Sequence, residues 1–331
     1  MQGAVVVVES QKKDNPADSR SKCFQSGIPL SCIEVLGYTV IDRLLYNLRR
    51  LGLDSISVLA DESVGDARAE VEQAAHRSVD FVKDVWSGAV QWLRRQAEEG
   101  VNTLLIVPAS VYTEMEFADF LQFHQEQRRG LTRAVNRGNR FDIWAIDATR
   151  LRSEQDPLQL LKIGDERRDQ YAEYFCPGYA NRVERPADLR RLVTDTFNGM
   201  CRLRPQGVEV RGGVWMSDGA DVHRGARIVS PAYIGRGSRI EEQCLVTRAS
   251  NIESNCHVDY GTAIEDSSVL PNSYIGIGLD VAHAVVSGNC LSHLRHDVTL
   301  EISDPGVMRR NKILRKETIR AAAEVAAMGA V

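Results

Sequence analysis

From Val210 onward, every sixth residue is aliphatic. The series runs Val210, Met216, Val222, Ile228, Ile234, Ile240, Val246, Ile252, Val258, Ile264, Leu270. Hydrophobic residues make up 43% of the chain, so composition alone does not produce eleven in a row at fixed spacing. The position four residues further on is restricted too. It reads Val214, Ala220, Ala226, Ala232, Ser238, Cys244, Ser250, Cys256, Thr262, Ser268, Tyr274, and only Tyr274 is neither small nor β-branched. A short fixed period marks an architecture in which successive repeats bury a shared core. A β-sandwich, with strands every eight to twelve residues or so, explains neither pattern. The phase breaks over Ile275–Val285 and returns at Val286–Cys290, which predicts a loop excursion and a last partial repeat. Cys244 and Cys256 occupy small positions and are expected to be inert packing residues.

The first half has a different grammar. Ala4–Val8 is apolar on both faces and β-branched, as in a buried parallel strand. Thr39–Leu51 places Val40, Leu44, Leu45 and Leu48 at helical spacing and stops at Gly52. Ser55–Ala60 reads as a strand, Asp84–Glu99 as a helix, and Asn102–Val107 as a strand. Glu116–Arg129 reads as a helix with Phe117, Phe120, Leu121 and His124 on one face. Leu131–Val135 and Phe141–Ile146 read as further strands. Strands alternating with helices imply an α/β domain with a mostly parallel sheet covered on both faces. In such sheets ligands gather at the carboxyl ends of strands, here the loops after Val8 and Val107. A connecting helix is expected over residues 186 to 205.

The chain has 331 residues, which at roughly 150 per domain suggests about two domains. The 41 Lys and Arg nearly balance the 45 Asp and Glu, giving a net charge of −4. That balance argues against nucleic acid as a partner, and plentiful aliphatics argue against disorder. The seven cysteines are scattered without a CxxC pair, so neither a disulfide framework nor a zinc ribbon is expected. No stretch approaches the roughly 18 apolar residues of a membrane helix, and Ala4–Val8 is too short for a signal peptide core. The expectation is a cytoplasmic protein.

The period of six resembles the left-handed parallel β-helix of hexapeptide-repeat proteins. In that family three hexapeptides make one triangular coil, with aliphatics inside and small residues near the corners. An α/β domain followed by such a helix resembles the sugar-1-phosphate nucleotidyltransferases. Residues 28–42, Ile-Pro-Leu-Ser-Cys-Ile-Glu-Val-Leu-Gly-Tyr-Thr-Val-Ile-Asp, are similar to that family's PKPLLPVGGRPLLE segment. Residues 104–124 are similar to its fLVvNGDvltdmdl segment, and Tyr179–Asp188 to its yW.di.tpedy stretch. The resemblance implies a Rossmann-like, GT-A-like domain over 1–205, a left-handed β-helix over 206–294, and a loop with a C-terminal helical tail over 295–331.

These enzymes join a nucleoside triphosphate to a sugar 1-phosphate and release pyrophosphate. Their chemistry needs the α-phosphorus held in line and its charge offset by metal and cations. Three family elements depart here. The glycine-rich GGxGTR loop, whose bare backbone approaches phosphates, is replaced by Glu9–Arg20 without a glycine. The lysine of the PK pair is Leu30. The Mg²⁺-ligating aspartate of NGD is Ser110, a poor ligand beside a carboxylate. Lys12, Lys13, Arg20 and Lys22 lie in or next to the Glu9–Arg20 loop, either as solvated loop charges or as cations that substitute for the lost ones. Trp86-Ser-Gly-Ala89 stands where the family's GTA nucleotide loop would be and keeps Gly88 and Ala89. Together these make a nucleotidyltransferase-like protein with a degenerate active site, without a confident catalytic residue or metal ligand. No cofactor is expected, with Mg²⁺ relevant only to residual nucleotidyl transfer. The implied roles are regulatory or scaffolding partner, or sugar-nucleotide sensor, in nucleotide-sugar or surface-polysaccharide metabolism.

Two active readings stand beside this one: a nucleotidyltransferase with a rebuilt phosphate loop, and a hexapeptide acyltransferase. The latter uses a histidine as general base at a coil edge or subunit interface. His223 and His257 fall on regular repeats, and His283, in the expected excursion, is the acyl-transfer candidate. His293-Leu-Arg-His296-Asp297 matches no strong zinc spacing. Flat repeat faces and the Ala-rich helix former Lys312–Met328 point to a homo-oligomer. An active paralogous nucleotidyltransferase and a nucleotide sugar are the other expected partners.

Overall fold

The computed structural model describes residues 1–10, 27–136, 139–153 and 170–311. The chain forms two compact units. The first holds the N-terminal strand, residues 27–32 and Thr39–Glu184; the second holds Ile33–Tyr38 and the chain from Arg185. The helix Pro186–Phe197, which sequence reading placed in a first domain ending at 205, therefore belongs with the second unit.

The first unit is α/β. Its seven-stranded sheet runs Ala172–Phe175, Leu131–Asn136, Asn139–Asp147, Thr103–Pro108, Gln2–Val8, Ser55–Asp61, Asp80–Val82. Gln2–Val8 lies inside the sheet, next to the middle strand Thr103–Pro108 and parallel to both neighbours, with Val6 opposite Val58 and Val107. Asn139–Asp147 runs antiparallel to both of its neighbours, so the sheet is mixed. The valine run is explained by its position. Ala4, Val6 and Val8 meet the helices Val40–Arg50, Arg68–Ala75 and Phe117–Gln127 on one face. Val5 and Val7 meet the helix Val85–Glu98 on the other. A strand covered on both faces has no polar side to show. Phe117, Phe120, Leu121 and His124 are all buried, as their spacing predicts.

The second unit is strand-rich. Short strands recur in rotation among three sheets, each strand pairing in parallel with its counterpart in the next repeat. Val214 pairs with Ala232 and Ala232 with Ser250; Val222 pairs with Ile240 and Ile240 with Val258; Ile228 pairs with Val246 and Val246 with Ile264. Three hexapeptides thus separate each residue from its partner. Ile234, Ile240, Val246, Ile252, Val258 and Ile264 share one buried core.

The structure corrects the sequence phase in three places. Val210 is 54% exposed, because Val208–Arg211 is an edge strand antiparallel to Val214–Met216. Beyond Ile264 one residue drops out of the repeat: Ile252 pairs with Val269, and Val258 with Ile275. Val269, Ile275, Val281 and Val286 continue the core, so the expected excursion over Ile275–Val285 is regular repeat. The lost residue lies at a bend. Arg248 and Ala249 both take left-handed φ there, whereas Asp266 and His283 do so singly in the following repeats. The same slip disposes of Tyr274 as an exception, since Ser267 and Ser273 fill the small positions and are fully buried.

The small residues also carry hydrogen bonds. Ser238 Oγ donates to Glu253 O at 2.5 Å, Thr262 Oγ1 to Gly276 O at 2.5 Å, and Ser273 Oγ to Leu270 O at 2.7 Å. A hydroxyl at a tight bend thus satisfies a buried carbonyl of its own or the next repeat. Cys244 and Cys256 sit in the same positions, their sulfurs 3.0 and 3.1 Å from the carbonyls of Asp259 and Leu270. Burial pushes both thiols up, away from the reactive thiolate.

Ala284–Ser287 forms a last partial repeat, parallel to Ser268–Val269, and then turns at Gly288–Asn289 into an antiparallel hairpin with Cys290–His293. Residues 295–311, read as loop, contribute the strands Val298–Glu301 and Met308–Arg310. Lys312–Met328 lies outside the described residues. Among the described residues Cys32, Cys176, Cys201, Cys244 and Cys256 are free thiols. Among the described residues no helix is long and apolar enough to cross a membrane.

Candidate functional sites

The carboxyl ends of two neighbouring parallel strands of the first unit carry two of the residues that depart from the nucleotidyltransferase pattern, Glu9 and Ser110. Pro108 pairs with Val7, and the Ala109 N–H donates to Val7 O at 2.8 Å, so Ser110 follows directly on this edge. Its carbonyl accepts from Val183 N–H at 2.8 Å. Glu9 follows the first strand, and its Oε1 accepts from the indole Nε1–H of Trp86 at 2.7 Å. Trp86 lies in the first turn of the helix Val85–Glu98, whose N-cap Asp84 accepts from Trp86 N–H at 3.1 Å and Ser87 Oγ–H at 2.6 Å. An open helix N-terminus attracts anions. Here a carboxylate of the chain already occupies it, and a second, Glu9, is held by the same tryptophan.

The other candidates in this unit serve packing. A Cβ on Gly88 would lie 2.9 Å from Val82 Cγ2, so the glycine lets helix and strand approach closely. Ala89 is buried in the layer between helix and sheet. Leu30 is buried in a 3-10 turn, Leu30–Cys32, where a cation would lack water and a partner. Burial raises the neighbouring Cys32 thiol to about 12. Lys12, Lys13, Arg20 and Lys22 lie outside the described residues. His124 is a satisfied core histidine, 2.7 Å from Thr132 Oγ1 and 3.1 Å from Asp147 Oδ1.

In the second unit, His283 sits in a connected set of charged groups. It occupies a left-handed bend with Nδ1 2.5 Å from Asp266 Oδ2. Asp266 Oδ1 accepts from Arg190 on the helix Pro186–Phe197 at 2.8 Å. Arg190 also donates to the carbonyls of Ala249 at 2.7 Å and Arg248 at 3.2 Å. One guanidinium thus ties the helix to two successive bends, which is why this helix belongs with the second unit. Burial pushes the Asp266 carboxyl up, but hydrogen bonds from Arg190 and His283 and their charges more than offset it, leaving it below its ordinary value. Burial lowers Arg190 from its ordinary value. An imidazole anchored through Nδ1 to a carboxylate keeps Nε2 for proton transfer.

The ring of His293 lies 6.5 Å from that of His283 and 4.6 Å from that of His296. Among the described residues no three His, Cys, Asp or Glu side chains converge as a metal-holding set. His257 Nε2 is 3.2 Å from Glu241 Oε1 and packs edge-on against Tyr274, while His223 Nδ1 accepts from Gly225 N–H. Both are tied into the sheet surface.

Sequence reading passed over Glu253, which is fully buried within the second unit. Its Oε1 accepts from Leu36 N–H at 2.8 Å and Asn251 Nδ2–H at 2.6 Å, and its Oε2 from Gly37 N–H at 3.0 Å. Its only sequence signal was its place one residue after the core position Ile252. No protein-family model matches the sequence, and no curated protein matches it either.

Proposed function

We propose that this chain is a nucleotidyltransferase-like protein whose own nucleotidyl transfer is degenerate. It acts as a regulatory or scaffolding partner, or as a sugar-nucleotide sensor, in nucleotide-sugar or surface-polysaccharide metabolism. The reading takes the first unit as a GT-A-like, Rossmann-like domain, supported by parallel central strands flanked by helices. It takes the second as a left-handed parallel β-helix, supported by three-hexapeptide pairing around one aliphatic core. A cytoplasmic homo-oligomer, in company with an active paralogous enzyme, belongs to the same reading.

The observation that carries the degenerate assignment is the Trp86 to Glu9 hydrogen bond. Nucleotidyl transfer needs donors and cations where the triphosphate lies. Here a carboxylate takes up the indole donor, and Asp84 takes up the helix amide. Leu30 and Ser110 supply neither cation nor carboxylate. Pyrophosphate release is the direct test. No turnover is expected from any nucleoside triphosphate and sugar 1-phosphate with Mg²⁺, and turnover at ordinary enzyme rates would overturn the assignment. A thermal-shift panel separates the roles. Stabilisation by nucleotide sugars without metal favours the sensor, and no response favours the scaffold.

The Asp266–His283 pair favours a second reading, acyl transfer with His283 as general base. Stabilisation by acetyl-CoA, and acyl transfer lost in His283→Ala, would support it. Absence of acetyl-CoA binding would remove it.

A further inference from the structure

Glu253 fastens a tight turn of the chain. The segment Ile33–Tyr38 bends at Leu36 and Gly37, both with positive φ, between the short paired strands Glu34–Val35 and Tyr38–Thr39. Glu253 accepts both N–H groups at this bend, and Leu36 O accepts from Gln206 N–H at 2.9 Å. A Cβ on Gly37 would lie 2.5 Å from the Tyr233 hydroxyl, so the turn is seated closely. Ser254 Oγ donates to the Glu34 carboxylate. The titratable groups that act on Glu253 are Glu34 from the segment, Tyr233 from the strand Ala232–Ile234, and Cys256 from its own bend. Among the described residues Glu253 has no ion-pair partner.

We propose that Glu253 is a proton-controlled clasp, holding the Leu36–Gly37 turn firmly when neutral and loosening it when ionised. The neutral acid keeps every bond. Oε1 has two lone pairs for Leu36 and Asn251, and a hydroxyl at Oε2 still accepts from Gly37. The ionised form makes the same bonds more strongly, but it carries an unpaired charge out of water and near Glu34, and the cost of burial outweighs that gain. Burial, with the Glu34 charge adding to it, raises the Glu253 carboxyl from 4.5 to about 7, against the pull of the Leu36, Asn251 and Gly37 donors. Once the turn lifts, water reaches the carboxyl and it titrates near its ordinary value. The seated state therefore binds the proton more tightly than the lifted one. Seating is strongest below the ordinary value and weakens as pH rises toward about 7.

Amide hydrogen exchange on the full chain tests the clasp, with rates corrected for intrinsic base catalysis. Leu36 and Gly37 report the turn. Leu245 and Ala263, which donate to carbonyls of the next repeat, serve as references. Protection at Leu36 and Gly37, relative to the references, is expected to fall on the order of 10–100-fold between pH 5 and 8, levelling off above about 7. Glu34→Gln, which removes the like charge, is expected to make the fall level off at lower pH. Glu253→Gln sets an amide N–H against Gly37 N–H, so protection becomes lower and independent of pH. If that variant does not fold, Glu34→Gln carries the test alone. Protection without this pH dependence, an equal fall at Leu245 and Ala263, or an unmoved plateau in Glu34→Gln would overturn the proposal.

Discussion

Trp86 Nε1 donates to Glu9 Oε1 at 2.7 Å, joining the first residue after the strand Gln2–Val8 to the first turn of the helix Val85–Glu98. The bond is charge-assisted and half-buried. Trp86→Phe keeps the ring but leaves Glu9 without this donor. Unfolding free energy is expected to drop by about 1–2 kcal/mol, read by urea denaturation. Pyrophosphate release should not appear in the variant, because Leu30 and Ser110 still lack the cation and the carboxylate.

Two members of the same six-residue series should respond unequally to truncation. Ile264 is fully buried, and Ile264→Ala is expected to cost about 2–5 kcal/mol through lost transfer and a cavity. Val210 is exposed on an edge strand, and Val210→Ala should stay within about 0.5 kcal/mol. Equal costs in chemical denaturation would contradict the edge-strand placement.

The one-residue slip has its own test. Ser273 is enclosed at a bend with its hydroxyl bonded to Leu270 O. Ser273→Leu is expected to overpack the bend and lose that bond, lowering stability by roughly 3 kcal/mol. Had Tyr274 occupied the small position, as the unbroken period implies, Ser273 would tolerate leucine.

Gly37 has φ +86 and the Tyr233 hydroxyl over the place where a Cβ would lie. Gly37→Ala meets both an unfavourable backbone and a clash. A loss of about 2–4 kcal/mol is expected, with exchange protection at Leu36 falling most. A neutral Gly37→Ala would show that the turn is loosely seated.

Asp266 supplies a pH dependence of opposite sign to that of Glu253. Its carboxyl is held below its ordinary 3.8, so the native state binds this proton less tightly than the unfolded chain. The contribution is present above 3.8 and is lost as pH falls through the lower native value. The side chain is 40% exposed, so water screens the pairing, and Asp266→Asn should cost about 1 kcal/mol at neutral pH. The gap between wild type and variant, measured as urea midpoints, should close below pH 3.8.

Much of the local structure was written in the sequence. The strand at Ala4–Val8, the helices near 40–50, 85–98 and 117–127, and the aliphatic period through Ile264 all follow from spacing, because burial face and periodicity are local properties. Tertiary structure decided the rest. Losing one residue at a bend costs the repeat nothing when a left-handed residue closes the corner, so the core passed from Leu270 to Val269 without a sequence signal. The helix Pro186–Phe197 joined the second unit because Arg190 reaches carbonyls and a carboxylate some 58 to 76 residues away. Glu253 reads in sequence as one more polar residue on a bend. Only the fold returns Leu36 and Gly37 to it across more than two hundred residues, turning a solvent-facing position into a buried acid. Periodicity records which face of an element is buried, but which distant segment covers a given residue is a long-range fact that no local pattern carries.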